Sequence, residues 1–252
     1  MRRGINSPAV YRAKLIPIDI TQTYKCPLQY IRNCMNLSQD ILIIGGGIIG
    51  FSLAVELKLR GASVTILAGE FKQPAARAAA GMLAPQAERI PPSPMLDLCL
   101  QGREVDPAWI EQLEEIAGLK AGYWRSGMLA PVCQDEYYEK LESLSLNSQW
   151  LDGDAIRQHQ LGLGEEVIGG WWYPDDAQVD NRALFRTLQF ASKNLGIEVI
   201  QDSAIEIIRQ GDRIFGVETT AEKLQADRYV LATGAWSEKL LNISVFPRKG
   251  QM

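Results

Sequence analysis

The sequence predicts an α/β protein whose main sheet is parallel and whose chain leaves that sheet and later returns to it. Three observations predict this. The apolar run Ile41-Leu-Ile-Ile44 ends in glycines and leads into a helical pattern and a second apolar run, Ser63–Leu67. A mixed segment of helices and strands follows, over about 96–180. Then a helix and several strands lead to another apolar strand, Arg228–Ala232, ending Ala-Thr-Gly. A nucleotide-binding domain interrupted by a second domain has this order.

The elements follow in turn. Ile41–Ile44 is apolar at every position, as a strand buried on both faces is. From Gly47 to Arg60, apolar Phe51, Ala54, Val55, Leu57 and Leu59 are interspersed with Glu56, Lys58 and Arg60, which is helical patterning, and Gly61 closes the helix. With Ser63–Leu67 this makes one βαβ unit. Residues 71–94 are rich in alanine and proline and read as loop. Two helices are predicted next, at about 95–105 and 107–117, the second capped by Asp106 with Pro107 in its first turn. Tyr123–Cys133 reads as a strand pair or bulged strand, 135–146 and 153–160 as helices, and Val167–Tyr173 as a strand. Asn181–Asn194 is an amphipathic helix with Leu184, Phe185, Leu188 and Ala191 on one face. Strands are predicted at 197–201, 204–209 and 213–219, with Gly211-Asp212 as a hairpin turn, then at 228–232, and a helix starts near 235.

Composition narrows the function. The chain has 252 residues, 46% hydrophobic and 22% charged, an ordinary globular balance. A net charge of -4 leaves no basic field for nucleic acid or anionic lipid. No apolar run approaches the roughly 18 residues of a membrane span. One histidine, His159, and four scattered cysteines (Cys26, Cys34, Cys99, Cys133) form no metal pattern; the cysteines read as reduced thiols in a cytoplasmic protein, and His159 as a polar residue ending an exposed helix. The basic, proline-containing stretch before Ser38 reads as a disordered leader, with Met35 rather than Met1 near the true start.

Gly45-Gly-Gly-Ile-Ile-Gly50 matches the dinucleotide fingerprint G-x-G-x-x-G, and it lies between a strand and a helix, which is the context the motif requires. Gly45 serves the tight turn, Gly47 the close approach of backbone to a pyrophosphate, and Gly50 the packing of helix on strand. The helix start offers free amides and positive partial charge to phosphates. The acid that usually holds the ribose is missing from the end of the second strand, where Ala68 and Gly69 stand. Glu70 follows and is either a ribose ligand or a solvated loop acid. Arg77-Ala-Ala-Ala-Gly-Met-Leu-Ala-Pro85 is small enough to press against a flat ring or a phosphate, or to begin an alanine-rich helix in the core. The Thr233-Gly234 strand end brings backbone close to a ligand.

These motifs, with Trp172-Tyr-Pro-Asp-Asp-Ala-Gln-Val-Asp180, Ala232-Thr-Gly-Ala-Trp-Ser237 and Pro247-Arg-Lys-Gly-Gln251, resemble the D-amino-acid oxidase superfamily of flavoproteins, and within it the glycine oxidases of thiamine biosynthesis. The likeness runs from about Asp40 to the last residue. It implies a Rossmann-like FAD-binding domain, discontinuous, with an inserted α+β substrate domain of mixed or antiparallel sheet. The boundaries would be 1–38 for the leader, 39–95 for the first FAD-binding part, 96–180 for part of the substrate domain, and 181–252 for the second FAD-binding part running into the truncated substrate domain. FAD would be the cofactor. Ile48 and Ile49 would present backbone to its diphosphate, Ala68 and Gly69 would lie at the ribose, and Ile205 would meet the adenine end through backbone. Ala80, Gly81 and Met82 would line the isoalloxazine, with Met82 near the substrate.

The implied reaction oxidises glycine or a similar small amino acid. Hydride leaves the α-carbon for the flavin, oxygen is reduced to hydrogen peroxide, and the imine hydrolyses or passes to thiazole synthesis. A thiazole synthase partner and a homo-oligomeric full-length form belong to the same expectation. The family's substrate-binding arginine would lie beyond Met252, so the chain reads as a truncated oxidase. A D-amino-acid dehydrogenase, a sarcosine-type flavin oxidase and a non-catalytic fragment remain alternatives.

Overall fold

Strand β1 (Ile41–Ile44) is buried at every position and lies inside a four-stranded parallel sheet in the computed structural model. The structure describes residues 40–69, 75–133 and 147–245, all within one unit, Leu37–Met252. Along the chain, helix α1 (Ile48–Leu59) follows β1, then come strands β2 (Val64–Leu67) and β3 (Met82–Leu83) and helix α2 (Pro94–Ala117). Strands β4 (Tyr123–Trp124), β5 (Met128–Cys133) and β6 (Gln149–Asp152) precede helix α3 (Gly153–His159). Strands β7 (Val167–Tyr173) and β8 (Ala177–Val179) lead to helix α4 (Asn181–Asn194). The rest is strands β9 (Glu198–Ile200), β10 (Ala204–Gln210), β11 (Arg213–Thr219), β12 (Lys223–Leu224) and β13 (Arg228–Leu231), then a 3-10 turn, Gly234–Lys239.

The parallel sheet has the order β13-β1-β2-β9. Its side chains alternate between two cores, as the period of two requires. Ile41 and Ile43 of β1, with Val64 and Ile66 of β2, face Phe51, Ala54 and Val55 of α1 and Phe185, Leu188 and Ala191 of α4. Leu42, Ile44 and Leu67 face the other way, onto Ile207, Val217 and Leu224 of the antiparallel sheet β10-β11-β12. Helices, parallel sheet and antiparallel sheet thus form three layers. Phe51 and Phe185 lock the two helices edge to face, with ring centroids 5.7 Å apart.

The intervening segment forms two small antiparallel sheets, β3-β8-β4 and β5-β7-β6. Tyr123–Cys133 is therefore not a strand pair. Its two halves join different sheets, because β4 bonds β8 and β5 bonds β7. The helices expected at 95–105 and 107–117 are one helix, α2. A proline removes a single amide bond, and here the helix continues through Pro107. Asp106 is then not a cap; it sits half-buried in the helix, and that burial raises its carboxyl pKa above the ordinary value. Ser93 caps α2 instead, accepting from the Leu96 amide. His159 is exposed at the end of α3 and stacks on Trp172. The expected helix at 135–146, the Pro247–Gln251 motif and the leader lie outside the described residues.

Candidate functional site

The C-terminal ends of the parallel strands converge on one place, where ligands of open α/β sheets bind. The Gly45 amide donates to the Leu67 carbonyl (2.8 Å), the Ala68 amide to Ile200 (2.9 Å) and the Ala232 amide to Ile44 (2.8 Å). These bonds tie the ends of β1, β2, β9 and β13 together. A cavity of about 550 Å³ opens there, within the range of small-molecule sites.

The three fingerprint glycines divide their work. Gly45 holds φ +125, and a Cβ there would drive into the Ala232 carbonyl. A Cβ on Gly50 would drive into the Gly45 carbonyl, so α1 rests directly on the turn. Gly47 meets nothing within 4 Å and lines the cavity; its missing side chain leaves room for something else. Gly47 is also the N-cap of α1, with no side-chain cap bond and no acidic residue in the first turn. The first intrahelical bond runs from the Phe51 amide to the Gly47 carbonyl. The amides of Ile48, Ile49 and Gly50 thus have no acceptor in the helix, and they lie at its positive end. This donor set and this open space fit a diphosphate.

Of the residues expected from the sequence, Gly45, Gly47, Ile48, Ile49, Ala68, Gly69, Thr233 and Gly234 all line the cavity. Gly50 supports it from beneath. Ala80, Gly81, Met82 and Ile205 are not among the lining residues. Ile205 is exposed on β10. Glu70 lies outside the described residues. Ala68, expected from the sequence to meet the ribose, is buried and offers no polar side chain. Sequence reasoning missed Arg77, Phe185, Gln189, Gln201 and Trp236, which also line the cavity. Gln201 carried a usable signal, since it ends a predicted strand and strand ends supply such sites. The Thr233 hydroxyl bonds Ser237 Oγ (3.0 Å), which fixes the 3-10 turn after β13.

Met82 lies on a second surface. It pairs across the small sheet with Gln178, which pairs with Trp124. Directly opposed residues share a face, and here Met82 and Trp124 are each about half exposed while Ala177 and Val179 are buried on the other face. Gln178 Nε2 donates to Ser126 Oγ (3.0 Å). Beneath this sheet, fully buried Asp176 accepts from Arg103 (2.9 Å) and from the Ala87 amide (3.1 Å). Arg103 also donates to Gln86 (2.6 Å), so α2 is pinned to the segment that follows β3. Burial pushes the Asp176 carboxyl above its ordinary pKa, against the lowering pull of the Ala87 amide and Arg103.

Comparison with known proteins agrees with this geometry. The family described as FAD dependent oxidoreductase (DAO) matches residues 40–252. A bifunctional ThiO/ThiG protein of Trichormus variabilis is 49% identical over 226 residues, which are 86% of this chain and 34% of that protein. The glycine oxidase of Geobacillus kaustophilus is 31% identical over 226 residues, 84% of this chain and 60% of that one. Its crystal structure superposes with a TM-score of 0.73 at 30% identity, covering 80% of this chain and 56% of that chain. The chain thus spans about a third of the length of the ThiO/ThiG relatives.

Proposed function

The chain belongs to the DAO family of FAD-dependent oxidoreductases, and from that premise we propose that it takes part in the oxidative deamination of glycine or a similar small amino acid. FAD is the cofactor of this family. One observation carries the assignment: the unpaired amides of α1 open into a cavity at the converging strand ends, where Gly47 leaves space.

When bound, FAD supplies a two-electron acceptor for the α-carbon–hydrogen bond of the amine. The protein's part is binding, orientation and exclusion of water. The amides of Ile48, Ile49 and Gly50 would hold the diphosphate. Ala68 and Gly69 would flank the ribose through backbone, and Ile205 the adenine end. Thr233 and Gly234 would bring the end of β13 against the cofactor. Ala80, Gly81 and Met82 would form the isoalloxazine side, with the thioether of Met82 as an apolar wall beside the substrate. The net reaction for glycine is glycine, oxygen and water to glyoxylate, ammonia and hydrogen peroxide.

The ThiO/ThiG relatives join two named parts in one chain, which supports delivery of the imine product to a thiazole synthase. A homo-oligomeric full-length form and a cytoplasmic location are part of the same proposal. Among the described residues no helix is long and apolar enough to cross a membrane.

Peroxide release from glycine, sarcosine and D-alanine by the FAD-loaded protein tests the proposal. The oxidase reading expects peroxide in step with oxygen uptake, glycine among the best substrates. Reduction of a quinone without peroxide would establish a dehydrogenase. Tight FAD binding with no turnover of any amine would establish a non-catalytic flavin-binding chain.

A further inference from the structure

We infer that Arg77 is the side chain that neutralises the cofactor diphosphate, an inference that rests on the FAD reading above. A diphosphate brings two negative charges into the cavity. The α1 amides offer partial charge, equivalent to about half a unit at the helix end. Among the described residues that line the cavity, Arg77 is the single charged side chain, and no carboxylate accompanies it. Among the described residues Arg77 has no ion-pair or hydrogen-bond partner that competes with a ligand for its five donors.

The backbone beneath Arg77 is held in place. It lies in the 3-10 turn Ala75–Ala78, which packs on α4. Just beyond, the Asn181 side-chain amide donates to the Ala79 carbonyl. Ala75 and Ala76, which also line the cavity, bring no polar side chain. The turn therefore has one group to offer an anion, and it is a planar fork matched to phosphate oxygens. The ribose side lacks an acid at Ala68, so the charge balance of the described cavity is positive. A site of this kind draws its affinity from the phosphates more than from the ribose hydroxyls.

The test is titration of the apoprotein with FAD, followed by flavin fluorescence, at low and high salt. The protein forms are wild type, Arg77→Gln and Arg77→Lys. At low salt the glutamine variant should bind FAD about tenfold more weakly. Wild type should weaken with salt more steeply than Arg77→Gln, so that the two converge as ionic screening grows. Arg77→Lys, which keeps the charge and loses the fork, should recover part of the loss and keep the wild-type salt dependence. Equal affinity of Arg77→Gln and wild type at low salt overturns the inference and leaves the FAD reading intact. So does a loss that Arg77→Lys fails to recover, or one that is the same at both salt levels, since a structural role would give either. Wild type that binds no FAD overturns the reading itself, and the inference with it.

Discussion

Single residues separate the fold's demands from the ligand's. Gly50 and Gly47 lie three positions apart in one motif, yet their surroundings predict opposite phenotypes. Gly50→Ala forces a methyl into the Gly45 carbonyl. It should destabilise the protein with or without FAD, visible as a lower Tm of the apoprotein. Gly47→Ala meets nothing within 4 Å of the new carbon. It should melt like wild type while weakening FAD binding by about tenfold or more, since the methyl would enter the space proposed for the diphosphate. If the two variants lose stability equally, Gly47 belongs to the fold and not to the site. Arg103 offers a third case. It is the charged partner of buried Asp176. Arg103→Met leaves that carboxylate unpaired and should lower unfolding stability by about 3 kcal/mol in denaturant titration. A change below about 1 kcal/mol would mean that Asp176 stays neutral in the fold.

At the scale of elements, local pattern was legible and distant pairing was not. The helix Asn181–Asn194 agrees with its predicted limits, because its apolar stripe and the Asp180 cap are local signals. Asp180 accepts from the amides of Ala183 and Arg182, the first bond being the stronger cause, and its pKa falls below the ordinary 3.8. A carboxyl lowered in the folded state stabilises above the unfolded value, and the effect is lost as pH falls through the folded one. The Tm gap between wild type and Asp180→Asn should therefore be full near neutrality and close in strong acid. A gap independent of pH would remove the charge from the account. Strands β3, β8 and β12 escaped the sequence because two or three residues show no period. The two halves of Tyr123–Cys133 join different sheets, and local pattern does not show this because pairing is a long-range choice. In sequence, Pro107 marks a break between two helices. In the fold that proline lies inside a continuous helix. Pro107→Ala should restore one amide bond and raise stability by about 1–3 kcal/mol; a loss would show that α2 depends on the proline.

For the whole molecule, the nucleotide-binding frame was readable because strand, glycine turn, helix and strand are contiguous in sequence. The cavity's remaining wall was not. Arg77 lies far along the chain from Phe185, Gln189 and Gln201, which follow one another on α4 and just after β9; the packing of the 75–78 turn on α4 and the β2–β9 pairing bring them to one wall. The proposed function requires the cavity at the parallel strand ends to receive the FAD diphosphate. Calorimetric titration of the apoprotein with FAD, with Gly47→Ala as its control, tests it most directly. Wild type should bind one equivalent of FAD, and the variant should give a weakened isotherm. A flat wild-type titration, or one identical in both proteins, would contradict it.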